Sequence, residues 1–106
     1  MNRDPWIERF LEKALPLLKR EIDPEAVLLF GSRVDGTATE HSDIDVVILS
    51  SKFRGIPLLK RMPMLLRMVR FEKHVDYLCY TAEEFSVLRH RSVILREAAT
   101  RGVRVA

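Results

Sequence analysis

Two short polar motifs, Gly31-Ser32 and Asp43-Ile44-Asp45, stand ten residues apart in the first half of the sequence. Residues two apart in a β-strand point to the same face of a sheet, so Asp43 and Asp45 are expected to hold their carboxylates side by side. Paired carboxylates suit Mg²⁺, which takes oxygen ligands and is usually held by one or two carboxylates together with substrate phosphates. The acidic motif therefore predicts a magnesium site.

The Gly31-Ser32 motif offers donors for phosphate. Gly31 lets the backbone approach a ligand closely, and Ser32 is expected to begin a helical turn whose free N–H groups and hydroxyl can receive phosphate oxygens. Arg33 would add a charge-assisted contact to the same phosphates, with a plain surface position as the competing interpretation. Metal held by carboxylates and phosphate held by amides together describe a nucleotide site.

A third carboxylate, Asp76, lies in a largely apolar stretch later in the chain. An unpaired charge in a buried strand is costly, so this aspartate needs a metal or a cationic partner. In a two-metal site, with ions about 3.5–4 Å apart, it would bind one ion and help to remove the proton of an acceptor hydroxyl. Asp43, Asp45 and Asp76 are therefore the predicted metal ligands and catalytic residues.

Hydrophobic periodicity predicts helices and strands that alternate around these residues. A first helix is expected from its N-cap Asp4 to Arg20, interrupted at Pro16. The predicted strands cover residues 26–30, 43–49, 73–80 and, as a short last strand, 103–105. The other predicted helices are a short turn after Ser32, residues 57–71, and a helix from the capping box Thr81–Glu84 to about Thr100, stopped by Gly102. This order is that of an α/β domain with helices packed on a sheet.

Length and composition exclude several protein classes. The chain has 106 residues, 47% hydrophobic and 31% charged, which fits one domain over residues 1–106 and excludes intrinsic disorder. No apolar run approaches the roughly 20 residues that span a bilayer, and the N-terminus lacks the apolar segment of a signal peptide. A cytoplasmic location is therefore expected. The single cysteine, Cys79, cannot form an internal disulfide.

The positive charge of the chain is concentrated in one segment. Residues 52–73 hold 7 basic and 1 acidic side chains, whereas residues 1–51 hold 6 basic and 10 acidic ones. The helix predicted within this positive segment has an expected core face of Leu58, Leu59, Met62, Leu65, Leu66 and Val69. Met64, Met68 and Phe71 fall opposite that face, where they form either a second packed side of the monomer or a surface for a partner.

The motif residues Gly31-Ser32-Arg33, Gly36, Ser42-Asp43-Ile44-Asp45 and Asp76 together resemble the signature of the DNA polymerase beta-like nucleotidyltransferase superfamily. The small size resembles its minimal nucleotidyltransferase (MNT) branch, and the resemblance covers roughly residues 22–106. It implies a polymerase beta palm-like fold, a mixed sheet of about four strands flanked by helices. It also implies two Mg²⁺ ions held by Asp43, Asp45 and Asp76, and transfer of NMP from an NTP, with ATP expected, to a hydroxyl.

The resemblance further implies a protein partner. Family members of this size are often encoded beside a helical HEPN protein, resemble antitoxins, and in some cases adenylylate a tyrosine of that partner. An enzyme acting as an antitoxin on a HEPN toxin is therefore expected. The alternative is a non-catalytic binding-type antitoxin or a nucleotide-sensing module. Transfer to RNA or an aminoglycoside is less favoured, because larger superfamily members recognise such acceptors with additional domains; a homo-oligomer stays open.

Overall fold

The computed structural model describes residues 4–106 of the chain. The helices are α1 (Pro5–Arg9), α2 (Leu15–Ile22), α3 (Ser32–Asp35), α4 (Leu58–Met68), α5 (Ala82–Leu88) and α6 (Val93–Arg101). The strands are β1 (Ala26–Phe30), β2 (Ile44–Leu49), β3 (Val75–Tyr80) and β4 (Val103–Arg104). A π-helical segment, Phe10–Ala14, joins α1 to α2, and a 3₁₀ turn, Ser51–Phe53, follows β2.

The four strands form one mixed sheet in the order β3-β2-β1-β4. β1 pairs antiparallel with β2 and with β4, whereas β2 and β3 run parallel and are connected through α4. Parallel neighbours need such a crossover connection, and here a helix supplies it. The predicted α/β class and the mixed sheet flanked by helices are confirmed.

Both faces of the sheet are buried, because alternate residues of each strand belong to different apolar clusters. One cluster joins the sheet to the N-terminal helices and α4, with buried strand residues Val27, Leu29, Ile44, Val46, Ile48, Val75 and Tyr77. The other joins it to α5 and α6, with Phe30, Val47, Leu49, Phe85, Leu95 and Ala98. Burial on both faces explains why β1 and β2 read as nearly continuous apolar runs.

The first helix begins and breaks where the sequence predicts. The Asp4 carboxylate accepts hydrogen bonds from the N–H groups of Trp6 and Ile7, which makes it the N-cap. Before Pro16 the helix widens, and the Leu15 N–H donates to the Phe10 carbonyl, five residues back. Proline has no N–H and its ring crowds the preceding turn, and the wider π-helical turn accommodates it.

The helix in the positive segment differs from the prediction in length and in the face that it buries. It covers Leu58–Met68, and Leu58 and Leu59 are 52% and 90% exposed rather than part of the core. Arg61 is buried in their place, because its guanidinium donates to the Ile56 and Cys79 carbonyls and pairs with a glutamate of α5. Burial of a cation whose three guanidinium nitrogens all donate hydrogen bonds overrides the simple hydrophobic pattern.

The side chains predicted to lie opposite that core face divide between the two interpretations. Met64 and Phe71 pack against the main core, whereas Met68 is 38% exposed. The Phe71 ring also meets the Trp6 ring edge to face at 6.0 Å, which anchors the first helix. A packed second side within the monomer therefore accounts for two of the three residues.

The single last helix expected over residues 82–100 is instead two helices. The capping box forms as predicted, because Thr81 Oγ accepts from the Glu84 N–H and the Glu84 carboxylate accepts from the Thr81 N–H. The chain then turns after Leu88, and Ser92 caps α6 by accepting from the Leu95 N–H. A second serine cap inside an apolar pattern is the signal that marks the break. Over residues 4–106, no helix has the length and apolar character needed to cross a membrane.

Candidate active site

Two of the predicted site residues face each other across the parallel strands β2 and β3. Asp45 is the register partner of Asp76, and both alternate with residues of the cluster under the N-terminal helices and α4, so they share the face of the sheet that α5 and α6 cover. Adjacent strands lie about 4.8 Å apart, so the two carboxylates are close neighbours. Both residues are partly buried. The sheet thus brings together two aspartates that the sequence separates by 31 positions (76 − 45).

Asp43 lies next to this pair, just before β2 begins at Ile44. Its side chain is exposed, and its negative charge acts on Asp45. The strand was predicted to include Asp43, and the structure begins it one residue later. The predicted side-by-side pair of Asp43 and Asp45 is therefore a loop residue beside a strand residue.

Asp45 carries a strongly perturbed carboxyl group. Burial, together with the negative charges of Asp76, Asp43 and Glu97, raises its pKa to about 6. Sequence reasoning missed Glu97, because only the packing of α6 on the sheet brings it near β2. A carboxylate whose neighbours are all acidic gains from a bound cation, which would compensate the charge that the protein leaves uncompensated.

Gly31 is the residue that makes room for Asp45. It has φ of 82°, and a Cβ built on it would collide with Oδ2 of Asp45. Phe30, immediately before it, is the register partner of Asp45, so the end of β1 lies against the acidic residue. A glycine is therefore required both by the backbone conformation and by the close approach.

Ser32 begins α3, as predicted, directly after Gly31. The Gly31 carbonyl accepts from the N–H groups of Val34 and Asp35, which closes the short helical turn. Ser32 also lines a cavity of about 300 Å³ that Asp4, Pro5, Gly36 and other neighbours complete. The phosphate-binding role of Gly31 and Ser32 stays a prediction.

Arg33 does not take the phosphate-binding position expected of it. Its side chain is only 6% exposed and forms a 2.8 Å ion pair with Asp4. Its guanidinium also donates to the Ser42 and Thr39 carbonyls, both at 2.9 Å, and to that of Glu40 at 3.3 Å. These contacts occupy the guanidinium inside the protein, so Arg33 shapes the loop that leads into Asp43.

The loop before Asp43 is fixed from several sides. Ser42 Oγ accepts from the Thr39 N–H, and Lys73 Nζ donates to the Glu40 carbonyl. The His41 side chain is 89% exposed. Together with Arg33, these contacts position the loop and hence the first of the three aspartates.

The donor chemistry of the three aspartates fits a hard divalent cation. All three offer carboxylate oxygens, and Mg²⁺ prefers oxygen ligands that leave room for water and phosphate. Within residues 4–106, however, no group of three or more His, Cys, Asp or Glu side chains is arranged to hold a metal ion. The residues fit Mg²⁺ in type and in charge, while the full three-carboxylate cage stays a prediction.

A groove that the sequence does not predict runs between α4 and β3. It has a volume of about 210 Å³ and is lined on the α4 side by Leu58, Leu59, Met62 and Pro63 and on the β3 side by residues 76–80. Asp76 is one of its lining residues, so the groove begins at the acidic site. The sequence gives no sign of this groove, because the helical hydrophobic pattern places Leu58 and Leu59 in the core.

Comparisons with known proteins agree with this architecture. The family model described as "Polymerase beta, Nucleotidyltransferase" matches residues 12–99. A crystal structure of a proposed nucleotidyltransferase from Sulfolobus solfataricus aligns with a TM-score of 0.59 and 23% identity over 98% of this chain and 87% of that chain. BolA1 from Arabidopsis thaliana aligns with a TM-score of 0.54 and 22% identity over 79% of this chain and 96% of its own. These two likenesses concern the fold alone, and no curated protein sequence matches the chain.

Proposed function

Because the chain belongs to the polymerase beta nucleotidyltransferase family, we propose that it is a Mg²⁺-dependent enzyme that transfers AMP from ATP to a hydroxyl group. The observation that carries this proposal is the register of Asp45 opposite Asp76, with Asp43 beside them and Gly31 against Asp45. This arrangement gathers three carboxylates at the end of the strand that leads into Ser32. Nucleotidyl transfer needs negative charge to hold metal and amides to hold phosphate, and the acidic residues beside Gly31 and Ser32 support this proposal.

In the proposed reaction, the acceptor oxygen forms a bond to the α-phosphorus of ATP. The bond from that phosphorus to the bridging oxygen breaks, and pyrophosphate leaves with the electron pair. The hydroxyl proton passes to a carboxylate, for which Asp76 is the proposed base. Mg²⁺, when bound by Asp43, Asp45 and Asp76, supplies positive charge that stabilises the attacking and leaving oxygens. Gly31 and Ser32 hold the phosphates through backbone N–H groups and the serine hydroxyl.

The proposed acceptor is a tyrosine of a helical HEPN partner, and the proposed role of the chain is that of an antitoxin of the MNT type. Support comes from the resemblance of the motif residues and the small size to that branch. The positive segment and the groove beside Asp76 give the chain surfaces on which a protein acceptor can lie. The proposed setting is the cytoplasm, where the nucleotide substrate is available.

The test of this function combines the purified chain with Mg²⁺, labelled ATP and the HEPN protein encoded nearest to it. We expect label on the partner, and we expect the D43N/D45N variant to lose at least about 100-fold of the rate, the upper end of losses reported for outer-shell metal partners. D23N is the matched control, because Asp23 lies before β1, away from Gly31, and asparagine tolerates its positive φ of 45°. An unlabelled partner with every NTP, together with no metal-dependent ATP binding, contradicts the proposal.

A second candidate function is a binding module that neutralises its partner without catalysis. One observation favours it: the side chains of residues 4–106 present no ready-made group of three metal ligands. The D43N/D45N variant separates the two candidates. Neutralisation that survives this substitution supports the binding module, whereas neutralisation that fails while partner binding persists supports the enzyme.

A further inference from the structure

The outer edge of β3 carries peptide groups that the sheet does not use. β3 is an edge strand, and the Ile44 and Ser50 N–H groups donate to the His74 and Tyr80 carbonyls. In a parallel pair this phase directs the peptide groups of even-numbered β3 residues toward β2 and those of odd-numbered residues away from it. The peptide groups of Val75, Tyr77 and Cys79 therefore face outward.

One side chain already uses this edge. Arg61 Nη1 donates to the Cys79 carbonyl at 3.1 Å, which agrees with the outward direction of that peptide group. In the part of the chain that the structure describes, this is the one hydrogen bond from outside the sheet that reaches the outward groups of β3. The N–H and carbonyl of Tyr77 are thus available to a further strand, and β3 has no lysine or proline of the kind that blocks exposed edges.

The groove beside this edge is apolar, and its rim is positively charged. Leu59 is 90% exposed and Leu58 is 52% exposed, and both line the groove beside Asp76. By helical periodicity, Lys60 and Arg67 lie on the stripe of α4 next to Pro63, at the groove's outer rim. Over residues 4–106, no carboxylate forms an ion pair with Lys60 or Arg67.

From these features we infer that the groove between α4 and the open edge of β3 binds an extended segment of a partner protein, apolar at its centre and acidic at its ends. The segment would pair with the outward peptide groups around Tyr77 as an added strand. Its alternate side chains would point toward Leu58 and Leu59 on one side and toward the face of Asp76 on the other. The acidic ends would lie near Lys60 and Arg67.

This geometry deepens the proposed function, on which it rests for the identity of the acceptor. A residue of the added strand that faces the same side as Asp76 would lie about 5 Å from β3, within reach of the proposed base. The docked segment would therefore present its hydroxyl at the site where AMP is transferred. The apolar residues toward α4 would provide affinity, and the acidic ends would provide orientation.

The charge of the surface argues against a second copy of this chain as the occupant. Two copies pairing through β3 would bring two positive segments together, since residues 52–73 carry 7 basic and 1 acidic side chains. Like charges held face to face cost free energy. The exposed leucines and the strand edge also favour a peptide over nucleic acid, which offers neither apolar side chains nor a strand to pair.

The test uses two synthetic peptides and the full chain followed by NMR. The first peptide, acetyl-DTVYVTD-amide, has the inferred character, and acetyl-KTVYVTK-amide reverses its charge. We expect the acidic peptide to shift the amide signals of residues 58–62 and to slow hydrogen exchange at the Tyr77 amide by about tenfold or more, because that amide enters a strand pair. The basic peptide is expected to bind about tenfold more weakly.

Two glutamate substitutions at exposed apolar residues sharpen this test. L59E is expected to weaken the acidic peptide by about tenfold, because it places a negative charge in the groove. V93E is the matched control, since Val93 is 79% exposed on α6 and lies outside the groove. Neither substitution removes a buried side chain, so both variants should keep the fold.

Three results would overturn the docking inference without affecting the proposed reaction. The first is equal binding of the two peptides, and the second is an L59E variant that binds the acidic peptide as the parent does. The third is protection of the Tyr77 amide that increases with protein concentration in the absence of peptide, which would indicate pairing of two copies. A single-stranded RNA oligonucleotide that shifts residues 58–62 at lower concentration than the peptide would overturn it as well. Binding of ATP with Mg²⁺ to L59E is measured in parallel. Its persistence shows that the loss concerns the docking surface and leaves the proposed reaction untouched.

Discussion

At the scale of single residues, the position of Asp45 depends on the absence of a side chain at Gly31. The close approach of the two residues holds the carboxylate at the end of β1, next to the phosphate-binding turn expected at Ser32. Asp45 is in turn surrounded by Asp43, Asp76 and Glu97, all of the same charge. The repulsion between these acidic side chains is an unfavourable electrostatic free energy that a bound cation can relieve.

The first prediction concerns the requirement for glycine at position 31. G31A should lower both stability and nucleotidyl transfer, because the new Cβ must displace the Asp45 carboxylate. G55A is the control, since Gly55 has a φ of 83° against 82° for Gly31 but nothing within 4 Å of an added Cβ. G55A carries the strain of a positive φ, about 1 kcal/mol, whereas G31A adds the ψ of −163°, which is almost confined to glycine, and the collision with Asp45, so it should lose about 1–3 kcal/mol more. Equal urea midpoints for the two variants would contradict the contact.

The second prediction concerns the pH dependence of stability at Asp45. Its pKa is about 6 in the folded protein against an ordinary 3.8, so the folded state holds the proton more tightly than the unfolded state does. The stability that Asp45 contributes is therefore fully present below about pH 4, and this contribution is lost as the pH rises through 6. D45N has no carboxyl group at this position and so avoids this loss. It should be more stable than the parent by about 1–2 kcal/mol at pH 8, a difference reduced because Asp45 is partly exposed. Near pH 3 the two proteins should be equally stable.

The measurement is urea unfolding of the parent, D45N and D23N between pH 3 and pH 8 without metal. D23N should follow the parent, because Asp23 is exposed and lies away from the acidic site. A difference between D45N and the parent that stays constant across this range would show that Asp45 ionises as it does in the unfolded chain. That outcome would remove the electrostatic reason for a cation at this site.

At the scale of elements, a buried arginine ties α4 to the start of α5. Arg61 Nη1 and Nη2 bind the two carboxylate oxygens of Glu84 at 2.6 and 3.1 Å, while the same glutamate completes the capping box with Thr81. The Arg61 side chain is 5% exposed. The hydrogen bond from Arg61 lowers the pKa of Glu84 to about 2. Helices on opposite faces of the sheet are thus joined at the carboxyl end of β3.

The third prediction compares two glutamates in the first turn of α5. E84Q keeps the capping box, which accepts glutamine, but leaves the Arg61 guanidinium without its counter-charge. It should cost about 2 kcal/mol at pH 7, less than for a fully buried pair because Glu84 is 40% exposed. E83Q removes the exposed pair with Arg54 and should leave the urea midpoint unchanged.

The pH profile gives this third prediction a second readout. Because the pKa of Glu84 is lowered, its stabilising effect is present above about pH 4.5 and is lost as the pH falls toward 2. The difference between the parent and E84Q should therefore shrink on acidification. A difference that grows below pH 4 would mean that the salt bridge does not account for the stability of this junction.

The elements show where sequence patterns suffice and where they fail. β1, the Asp4 cap and the capping box at Thr81 follow from local spacing, and the structure agrees. The approach of Asp45 to Asp76, expected because a charge in a buried strand needs a partner, is also seen. The helix period assigns Leu58 and Leu59 to the core, because it cannot show that Arg61 has carbonyl and carboxylate partners from distant parts of the chain. Contacts between distant residues decide such cases.

The same limit explains which contacts of the candidate site the sequence does not show. Arg33 stands where a phosphate ligand would stand in the motif, yet its partner Asp4 is 29 residues away in sequence. Glu97 approaches Asp45 only because α6 packs on the sheet. The groove exists only because Leu58 and Leu59 point away from the core. Local spacing thus identifies the acidic residues but not the side chains that surround them.

At the scale of the whole molecule, the charges divide between two regions that have different roles in the proposed reaction. The acidic residues gather where β1, β2 and β3 meet α6, and the positive segment covers residues 52–73 beside the outer edge of β3. Asp76 lies between the two regions, since it faces Asp45 and also lines the groove beside the positive segment. Nucleotide and acceptor would therefore approach it from different sides.

The last prediction uses this division to test the nucleotide site separately from the groove. A ligand that binds only the folded state stabilises that state, so nucleotide binding can be followed by thermal unfolding. ATP and Mg²⁺ at about 100 times the dissociation constant should add about 2.7 kcal/mol. For a domain of this size that corresponds to a rise in Tm of about 10–20 °C. D45N should lose most of this rise although it is more stable than the parent without ligand, whereas L59E should keep it. The rise in the parent should also shrink at pH 5, where Asp45, with a pKa of about 6, is mostly protonated. Thermal unfolding with and without ATP and Mg²⁺ measures all three proteins, and an equal rise in the parent and D45N would place the nucleotide away from the acidic site.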